Sequence, residues 1–360
     1  MRVLHLIPTF GSGGAERQLS ILANGLAADG LDVHIGYCRG GPNLQRLIGG
    51  RVAMHRLKSM GTHDIVLAWR ILRLIERLRP DVLQTWLLQM DILGGIGALL
   101  TGVPLIVSER SSGPAYAPGW KSRLRVLVGS HAARIVANSR GGIDYWRAYL
   151  PSERICLVRN CVLPAEAALE RPIDATRLMG AGRQLVLFAG RFSYEKNIPR
   201  LVEALMSLAR ERPSAAIIMF GEGPERLAAE RRIAASGLGQ QVEIRDFSSQ
   251  LSTWLSCAAV CVSVSSFEGH PNVVMEAAAA GCPLVLSDIP AHRELFDESS
   301  AFWAPPDSTP GIVSAVLAAL QNPHEARERA WRAHIIASQF DSATVAGEYR
   351  SIYEDCCSKD

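Results

Sequence analysis

The sequence predicts an α/β protein with two Rossmann-like domains, each built around a parallel β-sheet. The chain has 360 residues, a length that suits two domains. Short apolar runs alternate with amphipathic helical stretches, which is the pattern of strands joined by crossover helices. Because the same alternation starts again after residue 183, the two halves are predicted to share one fold type.

The predicted strands are short and rich in β-branched residues. In the first half they cover residues 3–7, 33–37, 82–85, 105–108 and 135–137, with helices at 15–29 and 65–78 among the connections. In the second half they cover residues 185–189, 215–220, 242–244, 260–264 and 284–287.

The domain boundary is predicted where proline and glycine interrupt an alanine-rich stretch without a strand pattern. Residues 166–182 are expected to link an N-terminal domain, residues 1–165, to a C-terminal domain, residues 183–340. The final residues, 341–360, are expected to form a helix that can pack back on the N-terminal domain.

Charge is divided unevenly along the chain. Residues 1–165 contain 20 Lys and Arg against 10 Asp and Glu, and the remaining residues contain 18 against 25. A basic domain suits a membrane surface, a phosphorylated lipid or nucleic acid, but two solvated surfaces of different composition explain the numbers equally well. Nucleic acid is disfavoured because the basic half has no recognition motif and only 6% of the chain is aromatic.

The chain is expected to work in the cytoplasm. Its eight cysteines form no Cys-x-x-Cys motif and are interpreted as reduced thiols. The first residues predict a strand rather than a signal peptide. The longest uncharged apolar segment, residues 92–107, is too short to span a membrane.

A glycine-rich turn follows the first predicted strand. Residues 11–14 are Gly-Ser-Gly-Gly, and the helix after them would offer unpaired N–H groups to an anion. A dinucleotide site would need a small residue in place of Glu16 and an acidic residue near Cys38, so a dehydrogenase is not favoured. A purely structural tight turn explains the glycines equally well.

Two cations follow the first strand of the second half. Arg191 comes directly after the strand, and Lys196 precedes a helix. Asn197 can cap this helix and Pro199 suits its first turn. Ligands bind at the carboxyl edge of parallel sheets, and two cations there suit a diphosphate. Ordinary surface charges are the alternative.

Two glutamates lie close together after a later strand. The strand ends near Val264, Glu268 lies on the loop that follows, and Glu276 lies on the next helix. Both carboxylates should therefore lie at the carboxyl edge of the sheet. Paired carboxylates suit a glycosidase, whereas ionised carboxylates near two cations suit a ligand with both phosphates and hydroxyls.

Four motifs occur in order along the chain. They are Gly13-Gly14-Ala15-Glu16, Gly190-Arg191 with Lys196, Gly221-Glu222-Gly223-Pro224, and the pair Glu268 and Glu276. Together they resemble the retaining nucleotide-sugar glycosyltransferases of the family-4 type. The resemblance covers nearly the whole chain and implies the GT-B fold. In that fold two Rossmann-like domains face each other across an interdomain cleft, and the C-terminal domain holds the donor.

The resemblance also implies roles for these residues. The equivalent of Glu276 binds the ribose hydroxyls of the donor, and that of Glu268 binds the hydroxyls of its sugar. The equivalents of Arg191 and Lys196 bind the diphosphate. Arg191, Lys196 and Glu268 are therefore the predicted catalytic residues. The further donor-binding residues are predicted to be Gly13, Gly14, Gly190, Gly221, Gly269, His270, Asn272 and Val273.

The predicted reaction needs no metal ion or other cofactor. Departure of the diphosphate builds up negative charge, which Arg191, Lys196 and helix N-termini can stabilise. The chain has no Asp-x-Asp motif, the usual metal clamp of the other glycosyltransferase fold. The resemblance further implies that the anomeric configuration is retained, by same-face attack in which the donor phosphate takes the acceptor's proton.

The acceptor side departs from the family pattern. After the strand at residues 105–108 many relatives have a histidine near the reacting sugar, whereas this chain has Glu109 and Arg110. Both residues are candidates for binding sugar or phosphate on the acceptor side.

The predicted activity is transfer of a hexose from a nucleotide-diphosphate sugar, expected to be UDP-linked, to a saccharide acceptor. A lipid-linked acceptor at the cytoplasmic face of the inner membrane would explain the basic domain, and such enzymes build bacterial surface polysaccharides. The basic segment 120–128 can contact anionic lipid or be an ordinary surface helix. The alternatives are a nucleotide-sugar epimerase or phosphorylase of the same fold, or a non-catalytic sugar-nucleotide-binding protein.

Overall fold

The computed structural model describes residues 1–11, 13–47, 50–59, 65–111, 113, 116, 119–163, 182–248 and 250–358. The chain divides into two compact units, one formed by Met1–Cys161 with Ser342–Asp360 and the other by Val162–Asp341. The predicted linker, residues 166–182, lies outside the described residues except for Gly182.

The N-terminal unit contains a seven-stranded parallel sheet. Its strands are β1 (Arg2–Thr9), β2 (Asp32–Arg39), β3 (Ala53–Arg56), β4 (Val82–Trp86), β5 (Leu105–Glu109), β6 (Arg134–Ala137) and β7 (Ile155–Leu157). They are ordered β3-β2-β1-β4-β5-β6-β7. The helices between them are α1 (Gly14–Ala28), α2 (Ile65–Leu78), α3 (Leu87–Thr101), α4 (Trp120–Gly129) and α5 (Arg140–Arg147).

The C-terminal unit contains a six-stranded parallel sheet. Its strands are β8 (Gln184–Ala189), β9 (Ala215–Phe220), β10 (Val242–Arg245), β11 (Val260–Ser263), β12 (Leu284–Ser287) and β13 (Phe302–Ala304). They are ordered β10-β9-β8-β11-β12-β13. The helices are α6 (Ile198–Glu211), α7 (Arg226–Ala235), α8 (Leu251–Cys257), α9 (Asn272–Ala279), α10 (Pro290–Arg293), α11 (Thr309–Gln321) and α12 (Pro323–Ser338).

Burial explains why these segments form strands. Every residue of β4, β5 and β9 is buried, because helices cover the faces of a parallel sheet and leave little room for polar alternation. The two parallel sheets confirm the predicted α/β class, and all ten predicted strands are present. The prediction missed β3, β7 and β13, which are three or four residues long and lie at sheet edges.

The last helix, α13 (Ser342–Cys357), packs on α1 and β4 of the N-terminal unit. Gly25 of α1 allows this close approach, since a Cβ at that position would lie 3.1 Å from the carbonyl oxygen of Ser342. The Tyr353 hydroxyl donates a hydrogen bond to Gln84 of β4. Tyr349 and Tyr353 are both buried, so α13 belongs to the core of this unit.

Candidate functional site

The site predicted in the C-terminal unit is built from the loops that follow β8, β9 and β11. The N–H of Gly190 donates to the carbonyl of Phe220 (3.0 Å), and the N–H of Ser266 donates to the carbonyl of Glu195 (2.9 Å). Gly221 has a φ of +141°, and a Cβ there would lie 1.9 Å from the carbonyl oxygen of Gly190. Only glycine therefore allows the first two loops to cross.

These loops bring Lys196 and Glu268 together. The ammonium group of Lys196 forms an ion pair with Oε1 of Glu268. The Ser265 hydroxyl donates to the same oxygen at 2.7 Å. The side chains of Glu268 and Lys196 are 10% and 20% exposed, so the pair is shielded from solvent but within reach of a ligand.

The charge of Lys196 determines the protonation of Glu268. Burial alone would raise the pKa of this carboxyl group. The adjacent ammonium group and the hydrogen bonds from Lys196 and Ser265 outweigh burial and hold the pKa below its usual value of 4.5. Glu268 is therefore ionised at neutral pH and accepts hydrogen bonds.

A buried histidine that the sequence analysis did not select lies behind this pair. Nδ1 of His292, on α10, lies 2.9 Å from the carbonyl oxygen of Ser287. The Ser287 hydroxyl donates to the carbonyl of Ser265 at 2.7 Å. Burial lowers the pKa of His292, and the charge of Lys196 lowers it further, although Glu268 opposes the shift. A neutral, buried imidazole thus lies near enough to Glu268 and Lys196 to interact with their charges.

Asn197 lies between Lys196 and α6, and its side chain makes different hydrogen bonds from those predicted. The prediction that its side chain caps α6 is wrong, because that side chain makes no capping hydrogen bond. Its amide nitrogen instead donates to the carbonyls of Val264 (3.2 Å) and Pro306 (2.7 Å). Its backbone is left-handed, with a φ of 55°. Asn197 therefore fixes the β8 loop to the end of β11.

Helix α9 holds the second glutamate. It begins at Asn272 and places the half-buried Glu276 in its second turn. Gly269, Asn272 and Val273 are also half-buried. The imidazole of His270 is buried and lies edge-on to Phe340, with ring centroids 6.2 Å apart. Donor binding by these residues stays a prediction.

Arg191 is the exposed cation of the site. Among the residues that the structure describes, no carboxylate forms an ion pair with it, whereas Lys196 is paired with Glu268. An exposed guanidinium without a protein counterion is available to an anionic ligand. Its assignment to the diphosphate stays a prediction.

The glycine turn of the N-terminal unit is shaped by Glu16. Gly13 precedes α1, which begins at Gly14, and a Cβ on Gly13 would lie 2.3 Å from Oε2 of Glu16. The Asn43 amide donates to the carbonyl of Gly11 at 2.6 Å and holds the start of the turn. Ser12 lies outside the described residues. The carboxylate of Glu16 thus lies directly beside Gly13, and the donor contact of this glycine stays a prediction.

Glu109, a candidate on the acceptor side, is fully buried at the end of β5. Its Oε1 accepts from the N–H of Ser111 (2.9 Å) and the hydroxyl of Tyr116 (2.5 Å). Its Oε2 accepts from Nη1 of Arg125 and Nε1 of Trp146, both at 2.9 Å. Four hydrogen-bond donors of the protein thus surround this carboxylate. An acceptor substrate would have to displace one of them to bind here.

Arg125 of α4 joins Glu109 to a second buried acid. Its Nε donates to Oδ2 of Asp91 at 2.7 Å, and Oδ1 of Asp91 accepts from the Thr85 hydroxyl at 2.8 Å. The side chains of Arg125, Asp91 and Glu109 are at most 1% exposed. Burial opposes the charge of Arg125, but the two carboxylates hold its pKa well above the usual value. This ion cluster fixes α3 and α4 to the sheet.

Arg110, the other candidate on the acceptor side, makes different contacts. Its guanidinium carbon lies 4.2 Å from the centroid of the Trp86 ring. Its Nη1 donates to Oδ1 of Asn160 at 3.0 Å, and its Nη2 donates to the hydroxyl of Tyr349. Arg110 thus lies next to Glu109 in sequence but outside its ion cluster.

Two family models match the chain, one on each unit. Residues 12–166 match "Glycosyltransferase Family 4", and residues 183–322 match "Glycosyl transferases group 1". Together the matches cover well over half of the chain. The structure resembles that of Anabaena HepE in complex with UDP and glucose, with a TM-score of 0.87, 19% identity and coverage of 99% of this chain and 100% of HepE. The two sheets thus confirm the GT-B fold.

Curated relatives are glycosyltransferases as well. The α-D-kanosaminyltransferase of Streptomyces kanamyceticus is 28% identical over 277 residues, which cover 71% of this chain and 72% of that protein. The lipopolysaccharide core biosynthesis glycosyltransferase LpsE of Rhizobium meliloti is 26% identical over 297 residues. These residues cover 79% of this chain and 78% of LpsE. The chain belongs to the family-4 glycosyltransferases and is an enzyme of the hexosyltransferase type.

Proposed function

We propose that this enzyme transfers a hexose from a UDP-sugar to a lipid-linked saccharide, with retention of configuration, in the synthesis of a bacterial surface polysaccharide. The main observation behind the donor site is the Lys196–Glu268 ion pair at the carboxyl edge of the C-terminal sheet. The UDP and glucose bound to HepE support the choice of donor. The lipopolysaccharide role of the Rhizobium relative supports the acceptor class.

In this proposal Arg191 and Lys196 bind the diphosphate of the donor. Negative charge grows on the diphosphate as the bond to the anomeric carbon breaks, so both cations stabilise the transition state more than the ground state. Lys196 also keeps Glu268 ionised, and the carboxylate accepts hydrogen bonds from the hydroxyls of the sugar. The cations supply the positive charge that a metal ion would otherwise provide.

The acceptor attacks the face of the sugar from which the diphosphate departs. A hydroxyl oxygen of the acceptor bonds to the anomeric carbon while the bond from that carbon to the phosphate oxygen breaks. The departing phosphate oxygen takes the proton of the acceptor hydroxyl. Glu268 binds and orients the sugar in this scheme and forms no covalent intermediate.

Nucleotide binding by the Glu276→Ala variant tests the donor site. We expect UDP at 100 times its dissociation constant to stabilise the wild type by about 2.7 kcal/mol, with or without a chelator. Glu276→Ala should lose most of this stabilisation, because the variant has no carboxylate to accept hydrogen bonds from the ribose hydroxyls. The measurement is the shift in melting temperature with UDP and with GDP.

A matched control is Glu211→Ala, since Glu211 is exposed at the end of α6. It should respond to UDP like the wild type. If no nucleoside diphosphate stabilises the wild type, the proposed donor site is wrong. If a chelator abolishes the shift, the proposal of a metal-independent site is wrong.

We further propose that three neighbouring helices of the N-terminal unit contact an anionic membrane. Trp69 of α2, Leu100 of α3 and Leu127 of α4 are 56%, 70% and 59% exposed. A cavity of about 870 Å³ between β3 and α2 is lined by Trp69 and the basic residues Arg56, Lys58, Arg70, Arg73 and Arg77. Exposed apolar side chains beside cations suit a lipid surface with phosphate headgroups.

The contact proposed here is peripheral, on the cytoplasmic face of the inner membrane. No described helix of the chain combines the length and apolar character that a bilayer-crossing segment requires. A lipid-linked acceptor would then be taken directly from the membrane surface. This explains why exposed apolar side chains and cations occur together on α2 and α4.

Vesicle binding tests this surface. We expect the protein to sediment with phosphatidylglycerol vesicles, less so as salt is added, and not with phosphatidylcholine vesicles. Trp69→Gln combined with Leu100→Gln should weaken binding by about tenfold or more, because two apolar side chains lose their burial in lipid. The control is Trp331→Gln with Ile335→Gln, which removes comparably exposed apolar groups from α12 of the other unit. Equal losses in both variants would contradict the assignment.

A further inference from the structure

The guanidinium of Arg110 has no carboxylate partner within the described part of the chain. It lies directly after β5, at the carboxyl edge of the N-terminal sheet. Its polar partners are the amide oxygen of Asn160 and the hydroxyl of Tyr349, both neutral. The faces of Trp86 and Tyr349 lie 4.2 and 5.9 Å from its guanidinium carbon. Arg110 is therefore held rigidly, but its charge is not neutralised.

Arg125, in the same unit, differs from Arg110 because carboxylates surround its guanidinium. Two carboxylates, Asp91 and Glu109, bind it at 2.7 and 2.9 Å. A shielded cation without such a partner is costly unless a ligand supplies the missing negative charge. Arg110 is only partly exposed; burial lowers the pKa of the nearby His5, and the charge of Arg110 lowers it further. The described residues around Arg110 therefore supply no negative charge to its guanidinium.

The hydrogen bonds of Arg110 are also incomplete. Its Nε is buried, and no described residue accepts a hydrogen bond from it. The amide oxygen of Asn138, just after β6, is likewise buried without a described partner. The amide nitrogen of Asn138 donates to Oδ1 of Asn160 at 3.3 Å. The same oxygen accepts the hydrogen bond from Arg110, so the Asn138 amide lies close to the guanidinium. Spare polar atoms thus follow two adjacent strands, β5 and β6, at the edge where parallel sheets bind ligands.

We propose that Arg110 binds an oxyanion, a phosphate or a carboxylate, on the acceptor, so that the acceptor of this enzyme is an anionic saccharide. The planar guanidinium matches both groups through two parallel N–H donors, and Nη1 and Nη2 each carry a second N–H besides the one given to Asn160 or Tyr349. The inference rests on the proposed function, since only a transferase has an acceptor.

Tyr349 is a positioning residue for this site. It reaches Arg110 from α13, so the C-terminal helix helps to build the acceptor side of the N-terminal unit. Tyr349→Phe keeps the ring that stacks on the guanidinium and removes the hydrogen bond. It should weaken anion binding without changing the charge of the site.

The test measures binding of simple anionic and neutral sugars to the full-length protein by calorimetry. Saturating UDP occupies the donor site, and the probes are glucose 1-phosphate, glucuronate and glucose. We expect both anionic probes to bind the wild type about ten to a hundred times more tightly than glucose, as charged hydrogen bonds do. Arg110→Gln should abolish this preference, and Arg110→Lys should retain part of it because the charge remains.

Arg39→Gln is the matched control, because Arg39 is exposed at the end of β2 on the same sheet edge. It should bind the probes like the wild type. The UDP-induced rise in melting temperature shows that each variant is folded. If Arg110→Gln does not fold, Tyr349→Phe and Arg110→Lys replace it, and each should weaken the anionic probes more than glucose.

Three results would overturn the inference. Anionic and neutral probes could bind equally well, Arg110→Gln could keep the preference, or it could weaken UDP binding instead of probe binding. A difference in affinity between glucose 1-phosphate and glucuronate would show which of the two anions the site prefers. Failure of the proposed function is distinguishable, since it shows as absent UDP binding while anion binding still depends on Arg110.

Discussion

Arg125→Met is expected to lower the free energy of unfolding by about 3–5 kcal/mol, the usual cost of removing one partner from a buried ion cluster. The substitution leaves the carboxyl groups of Asp91 and Glu109 buried without a cation, with only neutral donors remaining on them. Methionine fills much of the space of the arginine stem, so the loss comes mainly from the two unpaired carboxylates. Urea unfolding followed by far-ultraviolet circular dichroism measures this loss.

Arg123→Met is the matched control, because Arg123 lies on the same helix and is exposed. Its effect should stay within about 0.5 kcal/mol. A similar unfolding midpoint for Arg125→Met and Arg123→Met would contradict the role assigned to the cluster.

Most of the fold follows from local sequence patterns. Strand β9 is an uninterrupted apolar run and β5 begins with three apolar residues, and every residue of both strands is buried. The edge strands β3 and β7 have three or four residues and are mostly half-buried or exposed. Such segments differ little from loops in sequence, because they become strands only when a neighbour supplies hydrogen bonds.

The C-terminal site could be located from sequence because chain topology fixes it. Lys196 and Glu268 follow β8 and β11, which are hydrogen-bonded neighbours, so their loops meet at one edge. The four donors on Glu109 come instead from separate segments, including α4 and α5, and no local pattern reveals them. His292 was missed for the same reason, since its importance comes from burial beside residues distant in sequence.

Lys196→Met is expected to reduce turnover by about a hundredfold to a thousandfold, the range found when one preorganised group that stabilises transition-state charge is removed. The loss has two physical sources. The departing diphosphate loses a cation, and Glu268 loses the ammonium group that keeps its pKa low. Steady-state rates at saturating donor measure the effect once a donor sugar and an acceptor are available.

The pH dependence separates these two sources. In the wild type the pKa of Glu268 lies below 4.5, so its carboxylate is ionised throughout the neutral range. When Lys196 is removed, only weaker interactions oppose the effect of burial on Glu268, so the pKa of Glu268 rises. The acidic limb of the rate profile should therefore move to higher pH. Arg191→Met removes a cation that forms no described ion pair, so it should lower turnover without moving that limb. If both variants shift the limb equally, Lys196 does not control the charge of Glu268, and its ion pair is only a feature of the unliganded site.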